Sequence, residues 1–221
     1  GQRSIMCHRF SVEGDSVIGD QVEILRGGTH VQEKPIWIEG PHLFRVGKYY
    51  YLMCAEGGTG EWHSEVILRS KSPMGPFEEY SGNPILTQRT GLDPQRDDYV
   101  SSAGHADIVQ TPKGDWWAVF LACRPYDKDK YYNTGRDTYM LPVTWKDGWP
   151  VILEKGKAIP TVVDYKGGTI APQTPETAYR TGNFSYTDRF GGDKLNVRWL
   201  ALRNPKTDFY TLSANGLKIK P

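Results

Sequence analysis

The chain has 221 residues, with 27 Lys and Arg against 26 Asp and Glu and a formal net charge of +1, so it carries no electrostatic footprint for nucleic acid. Hydrophobic residues at 38%, aromatics at 12% and charged residues at 24% supply a packed globular core and exclude wholesale disorder. No apolar run approaches the roughly 18 residues of a membrane-spanning helix, so neither nucleic acid nor membrane is expected as a partner.

The early segment contains Asp15 and Asp20 in Gly-flanked turn patterns. Residues 1–10 have no initiator Met and no basic flank followed by an apolar stretch, so the chain is expected either to follow a removed targeting segment or to begin inside a longer polypeptide. Residues 44–54 read as two strands around a turn at Gly47, and residues 108–121 read the same way around a Gly114 turn. A third hairpin is expected from a strand over 138–145, a turn at Lys146-Asp147-Gly148 and a return over 149–153. Helical periodicity is marginal throughout. Cys7, Cys54 and Cys123 are too few for a disulfide scaffold, and the last two lie in apolar runs as buried free thiols do.

Seven Trp, 13 Tyr, 24 Gly and 15 Pro fit strands joined by turns. Glu39-Gly-Pro-His-Leu-Phe44 and Gly104-His-Ala-Asp-Ile-Val109 stand 65 residues apart, each followed by a Gly turn and an aromatic strand. Such a repeat suits a β-propeller blade of four strands with one enlarged loop at 88–102, with a β-sandwich as the competing architecture. The expected organisation is a partial propeller over 1–164, a Gly, Pro and Thr-rich linker over 165–183, and over 184–221 the incomplete start of a second domain. A segment that short cannot bury a core alone.

Three polar clusters precede strands: Trp37-Ile-Glu39-Gly-Pro-His42, Ala103-Gly-His105-Ala-Asp107 and Thr134-Gly-Arg136-Asp-Thr138. In a propeller the innermost strands begin near a central channel, so these side chains would converge. Glu39, beside Ile38, has the apolar neighbour that favours a proton-carrying carboxyl group, although a strand-end glutamate on a solvated face fits the local sequence as well. His105 between small residues could touch a ligand, or be a hydrogen-bonded structural histidine. Arg136 offers a fork of donors for sugar hydroxyls or carboxylates, or an ion pair with Asp137 or Asp107. His63 and Trp62, after the glycine turn Ala55-Glu-Gly-Gly-Thr59, are weaker candidates for ligand contact. No G-x-S-x-G elbow, C-x-x-C pair or H-E-x-x-H run occurs, which leaves carboxylate chemistry beside aromatic side chains.

Ile38-Glu-Gly-Pro-His-Leu-Phe44, Tyr49-Tyr-Tyr-Leu-Met53, Ala55-Glu-Gly-Gly-Thr59, Asn83-Pro-Ile-Leu86, Gly104-His-Ala-Asp107, Gly135-Arg-Asp-Thr138 and Trp145-Lys-Asp-Gly-Trp-Pro150 resemble, in order and spacing, glycoside hydrolase family 43. The likeness is strongest to β-xylosidases that carry an appended β-sandwich, whose first strands the segment 184–221 resembles. It implies an all-β, five-bladed propeller, of which about three blades are present. It also implies inverting hydrolysis of xylosidic or arabinosidic bonds, with Glu39 as general acid and His105 and Arg136 in the pocket. Asp137 stands where the family usually has Glu.

The resemblance places the general base and a modulating aspartate before the Glu39 segment, and Asp15 and Asp20 match neither. The chain is therefore expected to be catalytically incomplete alone, completed by N-terminal blades or by homo-oligomerisation. The expected parent activity is an exo-β-1,4-xylosidase releasing xylose from non-reducing ends of xylooligosaccharides. An α-L-arabinofuranosidase, a bifunctional enzyme and a non-catalytic carbohydrate-binding fragment are the alternatives. No cofactor is required by carboxylate chemistry. A structural calcium ion is compatible with such a channel, and His105 could meet it through water. No other metal ligand is assigned.

Overall fold

The computed structural model describes residues 4–29, 37–97, 99–126, 131–164, 186–201 and 209–220. The chain divides into two compact units, 1–168 and 169–221. The expected linker at 165–183 lies outside the described residues.

The first unit opens with an antiparallel hairpin, β1 (Ser4–Ser11) and β2 (Ser16–Arg26). An antiparallel meander follows, formed by β3 (Ile38–Val46), β4 (Tyr49–Glu56), β5 (Ser64–Ser70) and the short β6 (Glu78–Glu79). β7 (Leu86–Thr87) also pairs with β5. These residues form strands because β-branched and aromatic side chains fill a pleated surface, and Gly47, at φ +58°, reverses the chain between β3 and β4. Four successive strands are what one propeller blade requires.

The second meander is β8 (Ser101–Gln110), β9 (Trp116–Cys123) and β10 (Asp137–Pro142), followed by a small hairpin of β11 (Thr144–Lys146) and β12 (Trp149–Val151). Both aromatic hairpins expected from sequence are present, and no helix occurs among the described residues. The strand expected over 138–145 is instead divided. Its first part pairs with β9, and the chain then leaves that ladder at Val143, whose N–H reaches the Trp116 carbonyl, so that Thr144–Lys146 can pair with β12. Asp147 and Gly148, at φ +50° and +76°, make the tight turn between β11 and β12. The enlarged loop ends one residue before Ser101.

One core joins the two meanders. Tyr51, Met53, Ile67 and Leu86 from the first pack with Ala106, Ala118, Phe120 and Leu141 from the second, closed by Trp149 and Ile152. Full burial of each large apolar side chain removes about 1.5–3 kcal/mol worth of surface from water. Polar stitches add direction: the Tyr51 hydroxyl donates to the Gly148 carbonyl at 2.6 Å, and the Ile152 and Leu153 N–H groups share the Ile85 carbonyl. A second core of Ile38, Leu52, Cys54, Val66 and Leu68 lies on the other face of the first meander. Cys54 and Cys123 are buried free thiols, whereas Cys7 is half-buried.

The second unit, where described, holds one hairpin, β13 (Tyr210–Ser213) and β14 (Gly216–Ile219). Phe190 packs on Trp199, whose indole N–H donates to Asp188 at 2.8 Å. Val197 and Leu200 stay 91% exposed.

Candidate active site at the starts of the repeated strands

Glu39 is the second residue of β3, half-buried and opposite Ala55 of β4. The ladder then slips, because three steps from Glu39 to His42 face two steps from Ala55 to Met53. This bulge falls at Gly40-Pro41, and Gly40 adopts the left-handed φ of +56°. β8 slips twice, once between Ser101 and Gly104 and once between Gly104 and Asp107. Each slip contains a non-glycine residue in the left-handed region: Ser102 at φ +57° and His105 at φ +55°.

The sequence repeat now acquires a geometric meaning. Gly40 and His105 occupy matching places in the two repeat segments and share nearly the same φ. They also lie against one another: a Cβ on Gly40 would come within 2.7 Å of the His105 ring. Two residues on, the matching pair His42 and Asp107 meet at 3.3 Å, Nδ1 to Oδ1. The first strands of the two meanders thus run side by side and deliver Glu39 and His105 to one place.

His63 closes the cluster from below. It is buried at 1% exposure, its Nδ1–H donates to the Ser102 carbonyl at 2.8 Å, and its Nε2 has no hydrogen-bond partner. Gly104 makes room for it, since a Cβ there would lie 2.8 Å from that Nε2. Burial holds the His63 imidazole below its ordinary value of 6.5. Its bond to Ser102 and the charge of Glu39 oppose that shift, while His105 and Arg136 reinforce it. Those interactions also show that Glu39, His105 and Arg136 lie within electrostatic reach of one buried imidazole. Arg136 stands exposed in the loop before β10.

Two other features flank this cluster. Trp37, 43% exposed, lays its indole on Gly58, where a Cβ would sit 2.8 Å from the ring. Trp62, 56% exposed, lines a cavity of about 280 Å³ together with Gln88, Arg89, Arg96 and Tyr99, and Arg89 lies over its ring at 5.6 Å. Among the described residues no three His, Cys, Asp or Glu side chains converge as a cation site.

Glu65 of β5 was not singled out by the sequence reading, which treats a strand glutamate as a solvated side chain. It is fully buried, and its Oε2 accepts the Ala106 N–H at 2.9 Å. Burial pushes its proton affinity well above the usual carboxylate range. The available signal was its setting, directly before the buried run Val66-Ile67-Leu68.

Successive antiparallel meanders whose first strands lie together, with polar residues gathered where those strands begin, define a β-propeller. The chain belongs to glycosyl hydrolases family 43, whose profile matches residues 1–150. A non-reducing end α-L-arabinofuranosidase of Bacteroides ovatus is 40% identical over 176 residues, covering 79% of this chain and 31% of that protein. A β-xylosidase of Bacillus subtilis is 37% identical over 178 residues, covering 77% of this chain and 31% of its own length. The chain therefore spans about a third of these curated relatives. Among solved structures, a GH43_12 protein retrieved from the capybara gut metagenome matches with a TM-score of 0.62 and 39% identity, over 98% of this chain and 39% of that one. A xylan β-1,4-xylosidase from Bacillus halodurans matches with a TM-score of 0.64 and 31% identity, over 95% and 37% of the two chains.

Proposed function

We propose that this chain is the acid-bearing portion of an inverting glycoside hydrolase that removes terminal xylose from the non-reducing ends of β-1,4-xylooligosaccharides. The observation that carries the reading is that the His105 ring lies against Gly40, the residue next to Glu39, with the buried His63 ring against Gly104, the residue before His105. In this reading Glu39 donates a proton to the glycosidic oxygen as the bond to the anomeric carbon breaks. His105 and Arg136 hold sugar hydroxyls, and the exposed Trp37 indole offers an apolar face to the C–H side of a ring. Inversion needs a second carboxylate about 6.5–9.5 Å from the acid, with water between, and that base is assigned to no residue of this chain.

Release of α-L-arabinofuranose is the second reading, favoured by the 40% identity to the Bacteroides ovatus protein of that name. Turnover of aryl β-xylosides and aryl α-arabinofuranosides, measured in the longest polypeptide that contains this chain, separates the two. Glu39→Ala is expected to lower kcat by about 10²–10⁴-fold on a substrate with a poor leaving group, and far less on an activated aryl glycoside. An unchanged rate on the poor leaving group removes Glu39 from the acid role. The 221-residue chain alone is expected to bind xylobiose in calorimetry without hydrolysing it, and measurable turnover by it would overturn the assignment of the base elsewhere.

A further inference from the structure

We propose that Glu65 is a positioning residue of this site, clamping the doubly bulged start of β8 so that the His105 imidazole lies across Gly40 beside Glu39. The inference deepens the functional reading above and rests on it for the role of His105.

A bulge takes backbone groups out of the strand ladder, and buried N–H groups must find acceptors elsewhere. In β8 two extra residues fall between Ser101 and Asp107, within six residues of chain. Ser102 and His105 both adopt a left-handed φ without being glycine, a conformation that persists only where the surroundings over-determine it. The neighbouring strand supplies that determination. Glu65 Oε2 accepts at 2.9 Å the N–H of Ala106, which belongs to the peptide that follows His105. The second restraint comes from His63, whose Nδ1–H holds the Ser102 carbonyl. Each left-handed residue thus has a buried side-chain anchor on its own or the adjoining peptide.

Glu65 acts as an acceptor, and its burial favours the neutral, protonated carboxyl, so a neutral amide oxygen can replace it. That separates positioning from charge. It also separates positioning from mere filling of space, because a leucine fills the site and accepts nothing. No contact of Glu65 with Glu39 is required. The carboxyl acts through the peptide between His105 and Ala106.

The test uses the 221-residue chain with 15N- and 13C-labelled histidine, in which His105 is one of five His and is assigned through His105→Gln. Glu65→Gln is expected to leave the His105 ring signals and the protection of the Ala106 amide as in the parent. Glu65→Leu, shown to be folded by a cooperative urea transition, is expected to shift the His105 signals and to speed exchange of the Ala106 amide by about 10- to 100-fold. Xylobiose affinity should fall about tenfold in the same variant. A folded Glu65→Leu with parental His105 signals and parental amide protection overturns the proposal. If that variant does not fold, Glu65→Asp decides: its acceptor is one methylene short, so displaced His105 signals support the clamp, and parental signals overturn it. These readouts do not depend on Glu39. A Glu39→Ala enzyme of unchanged activity beside a displaced His105 in Glu65→Leu would refute the acid assignment and leave the clamp standing.

Discussion

The segments beginning at Glu39 and Gly104 occupy the same place in the repeat, turn through the same left-handed geometry at Gly40 and His105, and sustain it by different means. Glycine has no Cβ and enters that region freely, so the first segment needs no support there. The second places an imidazole at the matching position and recruits buried Glu65 and His63 to hold the backbone. The two solutions are coupled, because the ring carried by one strand occupies the space that the missing side chain leaves on the other. A site residue in a strained conformation is affordable when the neighbouring repeat provides room and the adjacent strand provides acceptors.

The most disruptive way to break this pairing is Gly40→Ala. The methyl group must adopt φ near +56° and would meet the His105 ring, so the variant is expected to lose about 1–2 kcal/mol of stability in urea unfolding. Displacement of the ring should also weaken xylobiose binding, measured by calorimetry, by about tenfold or more.

Next in size are two pH effects of opposite sign on the two buried anchors. Glu65 keeps its proton in the folded chain at pH values where the unfolded chain, with its ordinary value of 4.5, has released it. The folded state then binds more protons, so stability falls as pH rises above 4.5, by at most about 1.4 kcal/mol per pH unit. Glu56, Asp107 and Cys54 face this carboxyl and favour its neutral form or share its burial. Glu65→Gln should remove the slope, seen as a urea midpoint that declines less than the parent's from pH 5 to pH 8.

His63 behaves in reverse. Its proton is refused by the folded chain and accepted by the unfolded one below about 6.5, so stability falls as pH drops through that value. His63→Asn, tested between pH 7 and pH 5, should flatten this acid limb. The two slopes oppose one another between pH 5 and about 6.5, so each is read as variant against parent, and variants that follow the parent's curve across both windows would mean that neither group is buried as described.

The smallest change sharpens the comparison from the other side. His105→Gly makes the second segment like the first, relieving about 1–2 kcal/mol of left-handed strain. The unfolded glycine chain gains backbone freedom that offsets about 0.5–1 kcal/mol of this. A net stabilisation of at most about 1.5 kcal/mol is expected in urea unfolding, together with loss of xylobiose affinity. A destabilised variant would show that the His105 ring contributes more packing than its exposed position suggests.

Much of this molecule is legible along the chain. The aromatic runs at 49–56 and 116–123 alternate around glycine turns, so local chemistry alone names them as strands. The repeated Glu39 and Gly104 segments mark strands of one kind, and the ordered motifs name the family. The division of the 138–145 strand was hidden, since it depends on Val143 finding the Trp116 carbonyl 27 positions earlier. Glu65 was hidden for a related reason: a glutamate in a strand reads as a solvated side chain unless its neighbours across the sheet are known.

Sequence by itself determined the elements that depend on near neighbours: the strand periods, the glycine and Asp-Gly turns, and the Glu39 carboxylate and His105 imidazole placed at successive points of the repeat. Only the tertiary structure decided where the register slips, which backbone N–H groups those slips release, and which buried side chains accept them. A hydrogen bond between Glu65 and Ala106 joins residues 41 positions apart, and no local pattern encodes a partner at that separation. Chain packing brings the two strands together, and the requirement that buried polar groups be satisfied then selects the contact.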